Sequence, residues 1–511
     1  MPDIADNAVS ENNLNPSLTI TMPTVVASRA ALKALNATGR YNTAYLGEAG
    51  REGIFARKSG TPFPDPQEGR IIVSNTPGCY WERVVEDDIY HATWWGVRGD
   101  DATDNTAMLQ AAITALPPVP VALLLPAGVI RVNDQITIGR EYFTLRGAGA
   151  GTTTVRQFNP AVTTFYCAVA APNSIHGITI AGININTASS IVSTAGALIY
   201  VEKGNGIRLE DLDMGGGYYE IYLAGCFGVQ IDNCRAANGY KSPSTRSNIM
   251  IGTANPSWGG IYGGNIFINN CDFQTAYGQS GTPGAQYGMQ VRAVDGLFVS
   301  NSYFGYYETA AVALLNSGGF VAGVKFSNCW FDHQMGNGVF VSGGANANFS
   351  GGAWIGCNFV GGTSANYNFF AEGNPRGIEI VGCELSWVSG DNIRINTTQG
   401  SIVIANNKIR LADIDNQAGG EGIAIVAGSD VVITGNVIDG EGYTDSGIVV
   451  SGNSNRGVVS NNRVTNCTHG IRFEGNAGGF VAVGNNTLGN SGVGMLNTSS
   501  GSITIPAGTN I

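Results

Sequence analysis

One short segment recurs down the chain at intervals of about 22 to 35 residues, from roughly 173 to 499. It reads IDNCRA (231–236), INNCDF (268–273), VSNSYF (299–304), FSNCWF (326–331), WIGCNF (354–359), IVGCEL (380–385), IANNKI (404–409), ITGNVI (433–438), VSNNRV (459–464) and VGNNTL (483–488). Aligned, these segments give a column of Cys234, Cys271, Ser302, Cys329, Cys357, Cys383, Asn407, Asn436, Asn462 and Asn486. Two residues on comes a second column of Ala236, Phe273, Phe304, Phe331, Phe359, Leu385, Ile409, Ile438, Val464 and Leu488. Residues two apart on a strand face the same way, so both columns point inward. A unit this short cannot bury its apolar face alone; it must stack on its neighbours. The Cys column then reads as a packing ladder of small buried side chains. The Asn column reads as a hydrogen-bonded one, because buried amides need partners along the stack.

A second strand, led by glycine in four of nine copies, alternates with the first: YGMQVRA (287–293), AVALLN (311–316), GVFVSG (338–343), YNFFAEG (367–373), NIRINTT (392–398), GIAIVAG (422–428), GIVVSG (447–452), GIRFEG (470–475) and VGMLNT (493–498). The leucine signature of leucine-rich repeats is absent. The expected fold is therefore all-β, a parallel β-helix of about twelve coils. Composition agrees: 73 of 511 residues are glycine and only 13% are charged, which suits many short strands joined by tight turns. The 43% hydrophobic content is ample for a continuous core.

The ends differ from the repeats. In YHATWWGVRGDDATDNTAMLQAAITAL (90–116), Asp101, Thr103 and Asp104 precede an apolar stripe of Met108, Leu109, Ala112 and Ile113 at helical spacing. This predicts an amphipathic helix over about 104–116 that caps the open end of the solenoid. The Asp residues there read as capping and turn formers, not as metal ligands. Upstream, SRAALKALNATG (28–39) predicts a short helix with Ser28 as N-cap. The expected organisation is an N-terminal module and linker over 1–85, a β-helix domain over 86–499 and a tail over 500–511.

Net charge is −11 and no basic stripe is present, so a nucleic-acid partner is not expected. No run of about 18 apolar residues predicts a membrane helix. The opening MPDIADNAVSENN lacks the basic and apolar regions of a signal peptide, which leaves an extracellular or virion location without a classical leader. The nine cysteines show no CxxC pair and no His/Cys metal spacing, so neither metal nor cofactor is expected.

The stretch WWGVRGDDATDNTAMLQAAI, followed by LLLPAGVIRVNDQITI (123–138) and TLRGAGAGTTTV, resembles the opening of the pectate-lyase superfamily type 3 β-helix. Phage tailspike depolymerases and inulin fructotransferases share that fold. The resemblance implies a right-handed β-helix, a polysaccharide or oligosaccharide substrate, and a homotrimer. It does not fix the reaction, because the fold hosts several chemistries. The paired-Asp and His-Gly pattern of polygalacturonases is not found in register, although His176-Gly177 and His469-Gly470 occur.

Strand alternation places certain side chains outward on coils 271 to 394. The first-strand set includes Asp272, Tyr303, Trp330, Asp332 and Glu384; adjoining turns add Tyr307, Glu308, His333 and Trp387. On the second strand, Gln290, Arg292 and Arg394 face out. Aromatic faces stack on sugar rings, and carboxylates a rung or two apart suit acid–base cleavage. The expected catalytic residues are Asp332 with Glu308 or Asp272, and Glu384 as a further carboxylate. Tyr303, Trp330, Tyr307, Arg292, Arg394, His333, Gln290 and Trp387 are expected to bind substrate. The expected activity is glycosidase or fructotransferase-like cleavage of a bacterial or plant polysaccharide. The alternatives are β-elimination on a uronic-acid polymer, served by the cationic side chains, and a non-catalytic glycan-binding spike or adhesin. The loop YKSPSTRSNIMIGTANPSWGG (240–260) interrupts the coil rhythm and is a candidate binding wall.

Overall fold

The computed structural model describes residues 23–35, 42–170, 173–238, 246–252, 263–275, 286–316, 319–332, 335–343, 348–362, 365–414 and 419–508. The chain forms two compact units, one of residues 1–98 with 107–126 and one of residues 99–106 with 127–511.

In the first unit, Thr24–Val26, Thr43–Leu46, Gly53–Ser59, Cys79–Arg83 and Ile71–Val73 form a five-stranded sheet in that spatial order. Val26, Leu32, Ala44, Leu46, Phe55, Ile72 and Trp81 make its core. A helix, Arg29–Ala34, starts at Ser28, whose Oγ accepts from the Ala31 N–H at 3.2 Å. Arg83 is buried: it donates to the carbonyls of Gly69, Glu52 and Arg51 and lies against the Phe55 and Trp94 rings. A second helix, Thr106–Ala115, buries Leu109, Ala112 and Ile113, three of the four residues of the apolar stripe.

The second unit is a parallel β-solenoid. Each coil runs through three faces. Tyr287–Val291, Ala310–Asn316 and Asn337–Gly343 are successive strands of the first face; Val294–Ser300, Phe320–Ser327 and Asn348–Ile355 of the second; Asp272–Thr275, Tyr303–Gly305 and Trp330–Asp332 of the third. Strands pair with the same face of the next coil, in register, as in Tyr303↔Trp330 and Phe304↔Phe331. Among the described residues the third face stacks fourteen strands, from Asp100–Asp104 to Arg463–Thr465.

The turn from second to third face explains the repeated segment. Its first residue sits in the left-handed region: Asn233, Asn270, Asn301, Asn328, Gly356, Gly382, Asn406, Gly435, Asn461 and Gly484 all have φ between 50° and 68°. Glycine takes that conformation freely and Asn tolerates it. The next residue turns inward. Among the cysteines the thiol donates to main-chain carbonyls, for example Cys234 to Leu209 O at 3.4 Å and Cys383 to Trp354 O at 3.4 Å. From Asn407 on, the amide does more. Asn436 Nδ2 donates to Ile404 O at 2.9 Å and its Oδ1 accepts from the Asn407 N–H at 3.0 Å. Two residues later the apolar column stacks, with Phe273, Phe304, Phe331 and Phe359 at centroid separations of 5.3, 5.4 and 4.6 Å.

The last rung corrects the sequence alignment. Ser460 pairs with Val483, so the ladder position is Asn485, which is 1% exposed and accepts from the Asn462 N–H. The apolar position is taken by buried Thr487, while Leu488 is 58% exposed. The aligned repeat puts Asn486 and Leu488 inward, but this coil is one residue shorter than that alignment requires. A one-residue slip turns every side chain to the other side.

Candidate functional site

On the third face one outward column runs Arg235, Asp272, Tyr303, Trp330, Asn358, Glu384 and Lys408, each paired with the next. Gln274, Gly305, Asp332 and Val360 form the outward column two residues on. Asp272, Tyr303 and Trp330 thus occupy three consecutive coils. With Asn270, Asn301 and Asn328 they line a shallow depression of about 430 Å³, within the size range of small-ligand sites. The three Asn are the left-handed turn residues, whose amides point outward beside the aromatic rungs.

Tyr303 Oη donates to Asp332 Oδ2 at 3.1 Å. The Tyr303 and Trp330 rings meet edge to face with centroids 6.0 Å apart. Trp330 is 47% exposed and Asp332 only 8%. Burial and the adjacent Asp332 carboxylate push the Tyr303 phenol far above its ordinary range. Asp272 accepts from Gln274 Nε2 at 2.9 Å and lies 3.7 Å from Arg235 Nε. Half-burial raises its carboxyl pKa in spite of that guanidinium.

The remaining expected residues are dispersed. Glu384 is ion-paired to Lys408 at 3.1 Å and Arg410 at 3.0 Å. Glu308 is half-buried on the turn from third to first face, and Trp387 is 52% exposed on the equivalent turn three coils later with φ of 60°. Arg292 is exposed on the first face, and Arg394 binds Asp391 at 2.8 Å there. Two assignments need correction. Tyr307 is wholly buried: its ring fills the space beside Gly288, where a Cβ would lie 2.7 Å from it, so it offers no face to a sugar. Gln290 is 3% exposed although its position alternates outward. His333 lies outside the described residues, as does most of the 240–260 loop.

A second charged cluster escaped the sequence reading. Arg472 donates to Glu421 Oε1 at 3.0 Å and to Asp445 Oδ2 at 3.1 Å. His469 Nδ1 lies 3.6 Å from Asp445, and Asp391 accepts from the Glu421 N–H at 2.8 Å. Burial raises the Glu421 pKa to about 8; Arg472 opposes the rise, while Asp391 and Asp445 add to it. A weak signal was present. Asp391, Glu421, Ser446 and His469 each precede an Asn or Gly and then an Ile, in DNI, EGI, SGI and HGI, which marks one turn position on four successive coils.

Among the described residues, no group of three or more His, Cys, Asp or Glu could hold a metal ion. No helix there is long and apolar enough to cross a membrane.

The family model for the right-handed β-helix region matches residues 173–360 and 348–509. The chain therefore belongs to the right-handed β-helix family, and its fold is of the pectate-lyase-like kind that the sequence resembled. No curated protein matches it in sequence. Among solved structures, a double mutant of the tailspike protein of E. coli bacteriophage HK620 is similar at 12% identity with a TM-score of 0.58, over 87% of this chain and 83% of that one. Tailspike protein 3 of bacteriophage CBA120 scores 0.48 at 12% identity, over 85% and 62% of the two chains. The surface adhesin PfbA of Streptococcus pneumoniae scores 0.45 at 14% identity, over 82% and 91%. Likeness at such identities speaks to the fold alone.

Proposed function

We infer that this protein binds a polysaccharide along the third face and cleaves its glycosidic bonds by carboxylate acid–base chemistry. The observation that carries the reading is the trough formed by Asp272, Tyr303 and Trp330 on consecutive coils, with Asp332 hydrogen-bonded beside them. Trp330 supplies an exposed aromatic face and the Asn amides supply hydroxyl partners. Asp272, its pKa raised by burial, is the general acid; Asp332 is the base. Two rungs of axial rise, about 10 Å, and two residues along the strand separate their backbones. The two side chains must converge across that gap to come within the inverting range of about 6.5 to 9.5 Å, and the retaining range is further still from reach.

By the same reading the protein is a homotrimer acting outside the cell or on a virion, as its resemblance to tailspikes implies. The second face offers the surface for assembly. Phe267 and Phe298 stack there at 5.2 Å, both exposed, and Val458 and Val481 return exposed apolar surface to the same outward column beyond Lys325, Ala353 and Glu379. Exposed apolar area of this kind marks an interface.

The test is a panel of bacterial and plant polysaccharides read by product size and by absorbance near 235 nm. Shortened, non-absorbing products support hydrolysis. Absorbing products overturn it in favour of β-elimination. Binding without shortening makes the protein a glycan-binding spike.

A further inference from the structure

The ring of Tyr303 does not stand off the third face as a separate platform. It lies along the strand over Gly305: a Cβ placed on Gly305 would sit 2.5 Å from Tyr303 Oη and 2.7 Å from Cε1. Gly305 is also the residue that pairs with Asp332 on the next coil. A phenol laid across Gly305 is thereby delivered to the neighbouring rung, where its hydroxyl meets Asp332 Oδ2 at 3.1 Å. Trp330 closes the other side, edge to face with the same ring. The main chain fixes the far end, since the Tyr306 N–H donates to Asp332 O at 3.1 Å. Tyr306 itself has φ of 68°, which turns the chain inward immediately after Gly305.

We propose that Tyr303 is a positioning residue for Asp332, and that the missing side chain at Gly305 is what lets it act as one. The phenol O–H holds one carboxylate oxygen and so sets the plane of the whole group, as a third group orients a catalytic base in other sites. This proposal rests on the reading of Asp332 as the base. Sugar stacking at this site then falls to Trp330, because the Tyr303 ring is committed to the strand and to the indole.

A double-mutant cycle tests it. Tyr303→Phe keeps the ring and removes the hydroxyl. Gly305→Ala keeps the hydroxyl and displaces it, and the φ of Gly305 accepts alanine. Each variant is expected to lower kcat about tenfold or more with KM unchanged, and the double variant to lose no more than either single one. A silent Tyr303→Phe, a rise in KM alone, or additive losses would overturn the proposal. A readout independent of activity separates its failure from that of the proposed function. The carboxyl carbon of Asp332, followed by 13C NMR of aspartate-labelled protein at one fixed pH, is expected to change its chemical shift in both variants as the phenol donor is removed or displaced. An unchanged resonance sinks the positioning role whatever the activity. A shifted resonance in a protein that cleaves no glycan upholds the contact and discards Asp332 as a catalytic base.

Discussion

The coils from 231 to 385 and those from 404 to 487 share one fold but are built from different chemistry. In the earlier coils the inward turn position holds mostly thiols, which are weak donors, and the apolar column is mostly phenylalanine. In the later coils that position holds Asn407, Asn436, Asn462 and Asn485, each amide bonding along the stack, over Ile409, Ile438 and Val464. The outer surfaces differ in the opposite sense. The earlier third face carries Asp272, Tyr303, Trp330 and Asp332, whereas the later one carries Lys408, Val437 and Arg463 in the same column, with Arg410 and Asp439 beside it, and Glu421 and Asp445 bind Arg472 on the first face. The later coils carry the denser ladder of amide hydrogen bonds inside, and the earlier coils carry outside the aromatic and carboxylate groups on which the proposed function rests.

Activity provides the largest test of that division. Asp332→Asn is expected to lower polysaccharide cleavage by about 10²- to 10⁴-fold, the usual range for losing an acid or base. Glu421→Gln is expected to keep it within about tenfold, since Gln still accepts from Arg472. Product release from one polysaccharide, measured on both variants at equal protein concentration, decides the matter. Comparable losses would mean that the Arg472 cluster is chemical and that the division drawn between the two halves is wrong.

Stability is expected to divide the halves the other way. Asn436→Ala strips a buried partner from the Ile404 carbonyl and from the Asn407 N–H. Leaving such groups unmet costs about 1 to 3 kcal/mol each, so a total of roughly 3 kcal/mol is expected. Cys329→Ala gives up long thiol contacts to Ser327 O at 3.4 Å and Val299 O at 3.6 Å and a small volume, about 1 kcal/mol. Urea unfolding followed by hydrogen exchange shows both the size and the location of each loss. Equal losses would show that the Asn ladder is packing alone.

The fold was legible because a solenoid repeats its signal. Ten imperfect copies of one segment average out local ambiguity, and the Cys-to-Asn column survives even where the apolar column varies. The single misplaced rung came from a shortened coil, where an Asn pair at 485 and 486 fits two registers equally well. The outward column Asp272–Tyr303–Trp330 was readable for the same reason, since alternation along a strand fixes the side. What alternation does not encode is whether an outward position is open to a ligand. Tyr307 is on a turn, where period two no longer holds, and it was drawn inward by the space beside Gly288. The Tyr303–Asp332 contact was hidden because it depends on a glycine between them. The Arg472 cluster was hidden because its acids lie on turns far apart in sequence, which only stacking brings within reach.

The pH dependence of stability sharpens the contrast with a smaller effect. The Glu421 pKa is raised from 4.5 to about 8 in the folded chain. The folded state then holds a proton that the unfolded state releases, so ν_U − ν_N is negative between those values and stability falls as pH rises. The stabilising contribution is fully present below about pH 4.5 and is lost as pH climbs through about 8. Its size is at most a few kcal/mol, because a tenfold change in proton affinity is worth about 1.4 kcal/mol and the side chain keeps some contact with solvent. Glu421→Gln is expected to shrink the fall in Tm between pH 5 and pH 8 with little change at pH 5, the remainder belonging to the fully buried Glu220, whose carboxyl is also raised to about 8. A slope that persists in full in Glu421→Gln would assign it to the other buried acids, Glu220 and Asp391.

The smallest expected effect concerns the thiols. Cys167, Cys226, Cys234, Cys271, Cys329, Cys357, Cys383 and Cys467 are buried, and Cys79 alone is partly exposed. If the cysteine rungs are packing elements, a soluble thiol reagent should label Cys79 in the native protein and reach the other eight only as the solenoid opens. Labelling followed in time by mass spectrometry orders those openings. The cysteines of the earlier coils, which lack the Asn ladder, are expected to react before Cys467, whose own N–H donates to Asn490 Oδ1 at 3.0 Å. If Cys467 reacts first, the Asn-lined half is the looser one, and the ladder stabilises its own rungs without tightening the coils around them.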